Sequence, residues 1–282
     1  MASTFANKRV FITGGSSGIG RALAWQLAAE GAHVCIAARG QAGIDETIAE
    51  LEARAASPTQ ILFGVAVDIG DREAVGAAVG RVLERLGGLD LLINNAGIAH
   101  PAAFLDTPDE VFDAMMRVNY FGTVHVTRAL VPAMIEGGGG QVAIVSSLAG
   151  VVGIYGYTAY AASKYAVRGF AECLRQELMQ HGIGVSVVFP PDTDTPQLER
   201  ESRTKPPETA ALAGTVKPLS AEFVAKTILA GLSRRRFHVI PGLASKLIYF
   251  AAGRFPVITR LVLDRDLRRF QRRARALARG DE

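Results

Sequence analysis

The sequence is poor in cysteine and histidine, and its N-terminal stretch lacks the apolar core of a signal peptide. Only Cys35 and Cys173 occur in 282 residues, the first in an apolar strand-like run and the second in a helical one, so we expect two buried thiols rather than a disulfide or a metal site. The five histidines show no spacing typical of metal ligands, and we predict no metal site. Together these absences favour a reducing, cytoplasmic setting.

Acidic residues are scarce in the last part of the chain. From Arg234 to the end there are 13 Lys and Arg against 4 Asp and Glu, whereas the preceding 233 residues carry 18 Lys and Arg against 23 Asp and Glu. This asymmetry predicts an anionic partner for the basic end, either a membrane or a nucleic acid. Overall the chain is 49% hydrophobic and 21% charged, which is typical of a globular protein with one large α/β domain or two small ones.

Short apolar runs alternate with helical ones along most of the chain. The predicted strands cover residues 9–13, 33–38, 61–67, 89–94, 141–146, 184–189 and 237–240. Helical periodicity covers residues 18–29, 41–56, 71–86, 108–117, 119–135, 158–180 and 220–233. Seven strands joined by helices predict an α/β fold, a doubly wound parallel sheet with helices on both faces. The C-terminal ends of its strands then share one edge, where ligands bind in such sheets.

The turn after the first strand is rich in glycine. It reads TGGSSGIG, with Gly14, Gly18 and Gly20 between a strand and a helix. Glycines there allow close approach of a pyrophosphate, and the helix N-terminus supplies N–H groups. A tight strand–helix turn without a ligand is the alternative.

The end of the second strand lacks a carboxylate. Enzymes that use NAD usually place Asp or Glu here to hold the ribose 2′-hydroxyl, but this chain has Ala38 followed by Arg39. A guanidinium can bind a 2′-phosphate through two hydrogen bonds, so we predict NADP(H), with Ser16 adding a hydroxyl. Asp68, at the end of the third strand, is placed to meet the adenine. A plain solvated charge is the alternative for Arg39.

Four further features fall where later strands end or on the helices that follow. Tyr160 and Lys164 occur in YAASK and share one face of a predicted helix. Ser147 ends the fifth strand, NNAG (94–97) ends the fourth, and Asn119 lies in a helical run. A tyrosine and a lysine four residues apart are by themselves more typical of a helix surface, but the joint pattern indicates one site.

These motifs together resemble the short-chain dehydrogenase/reductase family, over about residues 5–240. The resemblance implies a Rossmann-like domain, a homo-oligomer and a catalytic tetrad of Asn119, Ser147, Tyr160 and Lys164. It implies that Tyr160 donates a proton to the carbonyl oxygen, that Ser147 hydrogen-bonds this oxygen, and that Lys164 binds the nicotinamide ribose and lowers the pKa of the tyrosine. Asn119 would hold a water that relays protons to the lysine. The predicted cofactor-binding residues are Gly14, Ser16, Ser17, Gly18, Ile19, Gly20, Arg39, Asp68, Asn95, Ala96, Gly97, Tyr160, Lys164, Pro190, Thr193 and Thr195.

The segment PPDTDTPQ (190–197) departs from the family pattern P-G-x-x-x-T, because Pro191 replaces the glycine. Thr193 and Thr195 match positions that hold the nicotinamide carboxamide. The segment and the residues after it resemble the 3-ketosphinganine (3-ketodihydrosphingosine) reductase branch, which reduces the C3 ketone of a long-chain amino ketone with NADPH in sphingolipid synthesis. Alternatives are another reductase of 3-oxoacyl, steroid or other hydrophobic ketones, and a non-catalytic NADP(H)-binding scaffold.

Candidate substrate residues flank the predicted catalytic ones. Val151, Ile154 and Tyr157 could line a groove for an alkyl chain, although ordinary core packing explains some of them equally well. Asp192 or Asp194 could pair with the ammonium of the amino ketone, although aspartates in such a segment often only cap turns.

The end of the chain is predicted to be a basic amphipathic helical extension, residues 242–282, attached to a reductase domain, residues 1–241. Residues 198–217 form a candidate loop or lid. Residues 242–263 are apolar but are interrupted by three charges and Pro256, which argues against a membrane-spanning helix. Residues 265–280 place Leu267, Phe270, Ala274 and Leu277 at helical spacing among arginines, which favours peripheral contact with an anionic membrane over nucleic acid. A solvated helix or an oligomer contact is the alternative.

Overall fold

The computed structural model describes residues 4–213 and 217–279. In this part the strands are β1 (Arg9–Thr13), β2 (His33–Ala38), β3 (Leu62–Ala66), β4 (Leu91–Asn94), β5 (Gly140–Val145), β6 (Ile183–Val188), β7 (Thr193–Asp194), β8 (Leu219–Ser220) and β9 (His238–Val239). The helices are α1 (Gly18–Ala29), α2 (Gln41–Glu52), α3 (Arg72–Leu86), α4 (Asp109–Met115), α5 (Gly122–Glu136), α6 (Thr158–Leu178), α7 (Pro196–Ser202), α8 (Pro207–Ala213), α9 (Ala221–Leu232), α10 (Leu243–Arg254) and α11 (Pro256–Arg279).

The main sheet has seven strands in the order β3-β2-β1-β4-β5-β6-β9, and every neighbouring pair is parallel. This confirms the predicted doubly wound fold. The strand order reverses between β1 and β4, and in such sheets the crevice at that point binds ligands. The glycine turn after β1 and the NNAG segment after β4 therefore come together at one position of the sheet edge.

Each face of the sheet carries its own core because side chains alternate along the strands. Phe11 of β1 packs into a core with α3, α5 and α6, whereas Val10 and Ile12 pack into a second core with α1, α2 and α9. The short strands are buried on both sides, as expected for a parallel sheet covered by helices. This packing fixes the strand ends that carry the candidate site.

The helical run around Asn119 contains a π-helical turn. Residues Met116–Phe121 adopt this wider turn between α4 and α5, so one continuous rod replaces the two separate helices predicted for residues 108–135. Turns of this kind insert one residue into the helical register and are frequent at functional sites. Asn119 lies inside the turn and is buried.

The prediction of a loop or lid for residues 198–217 is wrong for most of its described part. Two short helices, α7 and α8, occupy this region, and β7 pairs with β8 in a small separate sheet. Pro196 stands at the first position of α7, where its missing N–H costs no hydrogen bond. Residues 214–216 of the predicted lid lie outside the described residues.

The C-terminal extension is helical from Leu243 onward in the described residues, which confirms the helical extension predicted from residue 242. It contains α10 and α11, separated at Phe255, and α11 packs against α8. Among residues 4–213 and 217–279, we find no helix that is both long and apolar enough to cross a bilayer. The division into domains at residue 241 stays a prediction.

Only one of the two thiols is buried. Cys35 lies within β2 in the core, as predicted, but Cys173 is exposed on α6, so that prediction is wrong. The buried stripe of α6 runs through Val167, Ala171 and Leu174, and residue 173 falls beside it.

Candidate active site

A cavity of about 1130 Å³ runs along the C-terminal edge of the sheet. Its walls include the glycine turn after β1, the predicted catalytic residues Ser147, Tyr160 and Lys164, and apolar side chains of α10 and α11. A groove of this size can hold a dinucleotide end and a second organic molecule together.

The glycine turn forms a cradle that larger residues would fill. Gly14 and Gly18 have φ angles of +66° and +54°, which disfavour other residues. A Cβ at Gly14 would lie 2.8 Å from the Cα of Ala96, and one at Gly18 would lie 2.9 Å from the Cγ2 of Thr195. No side chain in residues 4–213 or 217–279 caps the N-terminus of α1 at Ser17. The open helix end and the close backbone approach fit the pyrophosphate of a dinucleotide.

The NNAG segment holds this cradle in place. The Asn95 side chain donates hydrogen bonds to the carbonyl oxygens of Thr13 and Gly14, both at 3.1 Å. The Thr13 hydroxyl accepts hydrogen bonds from the backbone N–H groups of Asn95 and Ala96. Asn95 therefore positions the turn, while Ala96 and Gly97 line the cavity.

At the outer end of the cavity, Arg39 is exposed and lies near Asp68. Burial pushes the pKa of Asp68 up, but hydrogen bonds from the Gly70 amide and the Arg117 guanidinium outweigh this effect and hold the pKa below its ordinary value. The Arg117 pair spans 3.0 Å. No carboxylate oxygen in the described chain lies within 4 Å of the Arg39 guanidinium, which leaves this cation available to an anionic ligand.

Tyr160 and Lys164 occupy one face of α6, as predicted. Burial raises the pKa of Tyr160, the Glu201 carboxylate raises it further, and the Ser147 hydroxyl opposes them, so the phenol is protonated near neutral pH. Burial lowers the pKa of Lys164 to about 8, while Glu201 acts in the opposite direction. The lysine Nζ donates to the carbonyl of Val145 at 3.1 Å and lies 5.6 Å from the centre of the Tyr160 ring.

Asn119 connects three parts of the site. Its Oδ1 accepts the Ile98 N–H at 2.8 Å, and its Nδ2 donates to the carbonyl of Ile98 and to the hydroxyl of Ser163 on α6. A Cβ at Gly97 would lie 3.2 Å from both the Asn119 Oδ1 and the Lys164 Nζ. The side chain thus fixes the NNAG loop against α6, and the predicted water relay stays a prediction.

Two small residues that the sequence motifs do not indicate, Ser146 and Gly150, also shape the site. The buried Ser146 hydroxyl donates to the carbonyl of Lys164 at 2.8 Å, and a Cβ at Gly150 would lie 2.8 Å from the same oxygen. Small residues on both sides of Ser147 let the turn after β5 lie directly against α6. The sequence shows these small residues as the motif S-S-x-x-G, but their role becomes clear only from their contacts with the Lys164 carbonyl.

The segment PPDTDTPQ joins the two ends of the cavity. The hydroxyl of Thr193 donates to the carbonyl of Pro191. The hydroxyl of Thr195 donates to the carbonyl of Thr193 and accepts a hydrogen bond from the Leu198 N–H at the start of α7. Pro190, Thr193 and Thr195 all line the cavity. Through the methyl of Thr195, the segment also touches the glycine turn.

The predicted substrate residues divide into two groups. Ile154, Tyr157 and Asp192 line the cavity. Val151 packs against the core instead, and Asp194 is exposed in β7, away from the lining. Several residues that line the cavity escaped the sequence analysis, among them Glu201, Leu212, Ile248, Phe255, Ile258, Val262 and Leu263.

Similar proteins agree with this geometry. Residues 8–206 match the family described as short chain dehydrogenase. The 3-ketodihydrosphingosine reductase of Bos taurus is 37% identical over 81% of this chain and 69% of its own length. Dehydrogenase/reductase SDR family member 7B of Bos taurus is 36% identical over 90% of this chain and 81% of its own.

A solved structure shows the same fold with a cofactor. A short chain dehydrogenase/reductase from Burkholderia phymatum in complex with NAD has 25% sequence identity and a TM-score of 0.75, covering 84% of this chain and 89% of that one. The glycine cradle, the open N-terminus of α1 and the Tyr160–Lys164 pair fit a nicotinamide dinucleotide. The chain therefore belongs to the short-chain dehydrogenase/reductase family and is a nicotinamide-dependent oxidoreductase.

Proposed function

We propose that the chain reduces the C3 ketone of 3-ketosphinganine to sphinganine with NADPH. The observation that carries this proposal is a single cavity that joins Tyr160 to a wall of apolar side chains from α10, α11 and the residue between them, among them Ile248, Phe255 and Ile258. A long alkyl chain fits such a wall, because burial of apolar surface stabilises it. The bovine relative named 3-ketodihydrosphingosine reductase supports the same substrate class.

The residues of the chain divide the chemistry as follows. When bound, the reduced nicotinamide supplies a hydride to the ketone carbon. Tyr160, held protonated by burial, donates its proton to the ketone oxygen, and the Ser147 hydroxyl hydrogen-bonds that oxygen. Below about pH 8, Lys164 carries a positive charge next to Tyr160, and this charge favours transfer of the phenolic proton.

The preference for NADPH rests on the outer end of the cavity. Arg39 lies in the lining without a carboxylate partner, and Asp68, the acidic residue near it, already pairs with Arg117 at 3.0 Å. A 2′-phosphate there meets a free guanidinium rather than a free carboxylate. We expect Arg39→Ala to raise KM for NADPH by about 10- to 100-fold, the range of one charge-assisted hydrogen-bonded pair, and to leave KM for NADH within about 3-fold.

The matched control is Arg72→Ala, which removes another exposed arginine from α3. Steady-state kinetics with both cofactors decides the point. A wild-type enzyme that prefers NADH, or an equal change for both cofactors in the Arg39 variant, would contradict the NADPH proposal.

The substrate test compares three ketones side by side. NADPH oxidation is measured with 3-ketosphinganine, a 3-oxoacyl thioester and a steroid ketone at equal concentrations in mixed micelles. The proposal expects kcat/KM for the amino ketone to exceed the others by at least about 10-fold. The second candidate is the reduction of another hydrophobic ketone, because a relative of similar identity is named only as a dehydrogenase/reductase. A higher rate with either of the other compounds would support that candidate instead.

The outer surface of α10 and α11 supports peripheral contact with an anionic bilayer. Large apolar side chains stand exposed there, including Leu243 at 74%, Phe250 at 63% and Leu261 at 62%. Such a patch is unusual on a monomeric soluble protein. Arginines of α11 flank the patch, among them the exposed Arg268 and Arg272, so the surface matches an apolar layer beneath anionic headgroups.

Vesicle pelleting tests this contact. We expect the protein to pellet with vesicles that contain 30% phosphatidylserine and to lose most of this binding in the variant Leu247→Ser/Phe250→Ser. Met179→Ser, an exposed apolar residue at the opposite edge of the sheet, serves as the control. Equal pelleting of all three proteins would refute membrane contact, and a concentration-dependent dimer abolished by the double variant would assign the patch to a second copy of the chain.

A further inference from the structure

The cavity contains a buried carboxylate that neither the catalytic tetrad nor the cofactor cradle uses. Glu201, on α7, is 8% exposed and lines the cavity together with Tyr157 and Tyr160. One carboxylate oxygen accepts a hydrogen bond from the Tyr157 hydroxyl at 2.8 Å, and the other accepts one from the Gln197 side chain at 2.9 Å. The side chain is thus held in a fixed position on the wall.

Glu201 lacks a positively charged partner. In residues 4–213 and 217–279, no Lys, Arg or His nitrogen lies within 4 Å of its carboxylate, and both hydrogen-bond donors are neutral. A buried anion without a directly paired cation is costly, and here the more distant charge of Lys164 offsets part of this cost. The two remaining lone-pair directions of the carboxylate are available to a ligand in the cavity.

Glu201 lies near the predicted proton donor, Tyr160. The Tyr157 ring, whose hydroxyl it holds, lies 5.4 Å from the Tyr160 ring, centre to centre. The carboxylate also acts electrostatically on Tyr160 and Lys164, raising the pKa of both. A group bound to Glu201 therefore lies close to a ketone bound at Tyr160.

The two aspartates proposed from the sequence are less suited to this role. Asp192 lines the cavity but is already paired with the Lys205 ammonium at 3.3 Å, and its side chain is 46% exposed. Asp194 is exposed and does not contribute to the lining. Of the three carboxylates, Glu201 is the one that is buried, directed into the cavity and without a cation.

We infer that Glu201 forms a subsite for a protonated amine, and that it binds the ammonium group next to the ketone of the substrate. This inference rests on the proposed function and names the feature that separates an amino ketone from other hydrophobic ketones. The ammonium donates a charge-assisted hydrogen bond to the carboxylate, and Tyr157 and Gln197 hold the acceptor in place. The arrangement discriminates because an uncharged ketone leaves the buried anion without a partner.

The test uses Glu201→Gln in the full-length protein. Glutamine keeps the size of the side chain and an acceptor oxygen for Tyr157 but removes the charge. The matched control is Glu199→Gln, an exposed glutamate on the same helix that pairs with Arg203. Two substrates are compared at pH 7: 3-ketosphinganine and the 1-hydroxy-3-ketone of the same chain length without the amine.

We expect Glu201→Gln to lower kcat/KM for the amino ketone by about 10- to 100-fold, the range of a charge-assisted hydrogen bond, and to change kcat/KM for the uncharged ketone by less than about 3-fold. The Glu199 variant should match the wild type with both. An equal loss with both substrates would make Glu201 a positioning residue that acts through Tyr157, and unchanged values would remove it from the reaction; either result overturns the inference.

A second measurement separates this inference from the proposed function. A long-chain primary alkylamine and the alcohol of equal length are compared as inhibitors of the reduction of the uncharged ketone. We expect the amine to inhibit at about 10-fold lower concentration than the alcohol with the wild type and at equal concentration with Glu201→Gln. If this holds but 3-ketosphinganine is not reduced, the amine subsite stands and the proposed substrate fails. If 3-ketosphinganine is reduced and the amine has no advantage, the subsite fails and the proposed substrate stands.

Discussion

The catalytic edge of the sheet and the C-terminal helices differ in which side chains they bury and which they expose. At the edge, Asn119, Ser147 and Lys164 each hydrogen-bond to backbone atoms that their neighbours position, and most of these groups are buried. On α10 and α11, large apolar side chains face outward with little to cover them. The first region fixes atoms in place, whereas the second leaves a surface whose burial requires something outside the described chain.

The difference shows which parts of the molecule determine chemistry and which determine substrate class. Local hydrogen bonds specify the catalytic geometry, which the family shares. The segment between β6 and α9 and the two C-terminal helices supply the remaining walls, including Glu201 and Ile258. We therefore expect substitutions of the catalytic residues at the sheet edge to abolish turnover. Substitutions of exposed residues in the C-terminal helices should change the free energy of unfolding little.

The largest effect is expected at Tyr160. Tyr160→Phe removes the proton donor and should lower kcat/KM by about 10²- to 10⁴-fold, while cofactor binding, followed by NADPH fluorescence, stays within about 3-fold. Tyr165→Phe, on the exposed side of the same helix, is the control and should keep wild-type activity. Retention of more than a tenth of the activity by the Tyr160 variant would contradict the assigned role.

The next prediction compares the core of the sheet with the surface of α10. Leu92 in β4 is fully buried, and Leu92→Ala should lower the free energy of unfolding by about 2–5 kcal/mol. Phe250→Ala removes a larger side chain that is 63% exposed and should cost less than about 1 kcal/mol. Urea denaturation measures both, and similar losses would show that α10 is part of the cooperative core.

A third prediction concerns pH and Lys164, whose pKa burial lowers from 10.5 to about 8. Between these values the folded lysine is neutral and the unfolded one still charged, so the unfolded state binds more protons and the free energy of unfolding rises with pH. Relative to Lys164→Met, the wild type should gain up to about 3 kcal/mol between pH 7.5 and 10. Lys226→Met, on the surface of α9, is the control and should show no such difference.

The smallest effect is expected at the opposite edge of the sheet. Burial pushes the pKa of Asp90 up, but hydrogen bonds and the charge of Arg9, at 2.8 Å, bring it below the ordinary value. A depressed carboxyl pKa stabilises the fold above the unfolded pKa and loses this contribution as pH falls through the folded pKa. Asp90→Asn should therefore cost about 1 kcal/mol at pH 7 and less at pH 3, with unchanged kcat. A measurable change in kcat would contradict the separation of the two edges.

The strands, the glycine turn and the Tyr160–Lys164 pair could be predicted because their signals are local. Apolar runs of four to seven residues predict buried parallel strands, and a spacing of four residues on a helix places two side chains on one face. The exposure of Cys173 could also be predicted from the periodicity of α6, since the residue lies off the buried stripe, whereas the general tendency of free cysteines to be buried predicts the opposite.

Glu201 and the walls from α10 and α11 could not be found in the same way. Proline and charge between residues 198 and 217 are typical of a loop, yet tertiary contacts stabilise two short helices there, including the hydrogen bond from Tyr157 to Glu201. Residues 44 positions apart carry no local signal of such a contact. The apolar residues of α10 looked like a membrane segment with too many charges, and only the fold shows that several of them line the cavity.

Ile248, Phe255, Ile258 and Val262 belong at once to the cavity wall and to the exposed outer surface. If this surface rests on a bilayer, a long-chain ketone can pass from lipid to cavity sideways, without dissolving in water. The search for substrate then becomes two-dimensional, and the quantity that governs saturation is the mole fraction of ketone in the membrane rather than its bulk concentration. Diluting the ketone with inert lipid at constant total ketone should accordingly slow the enzyme.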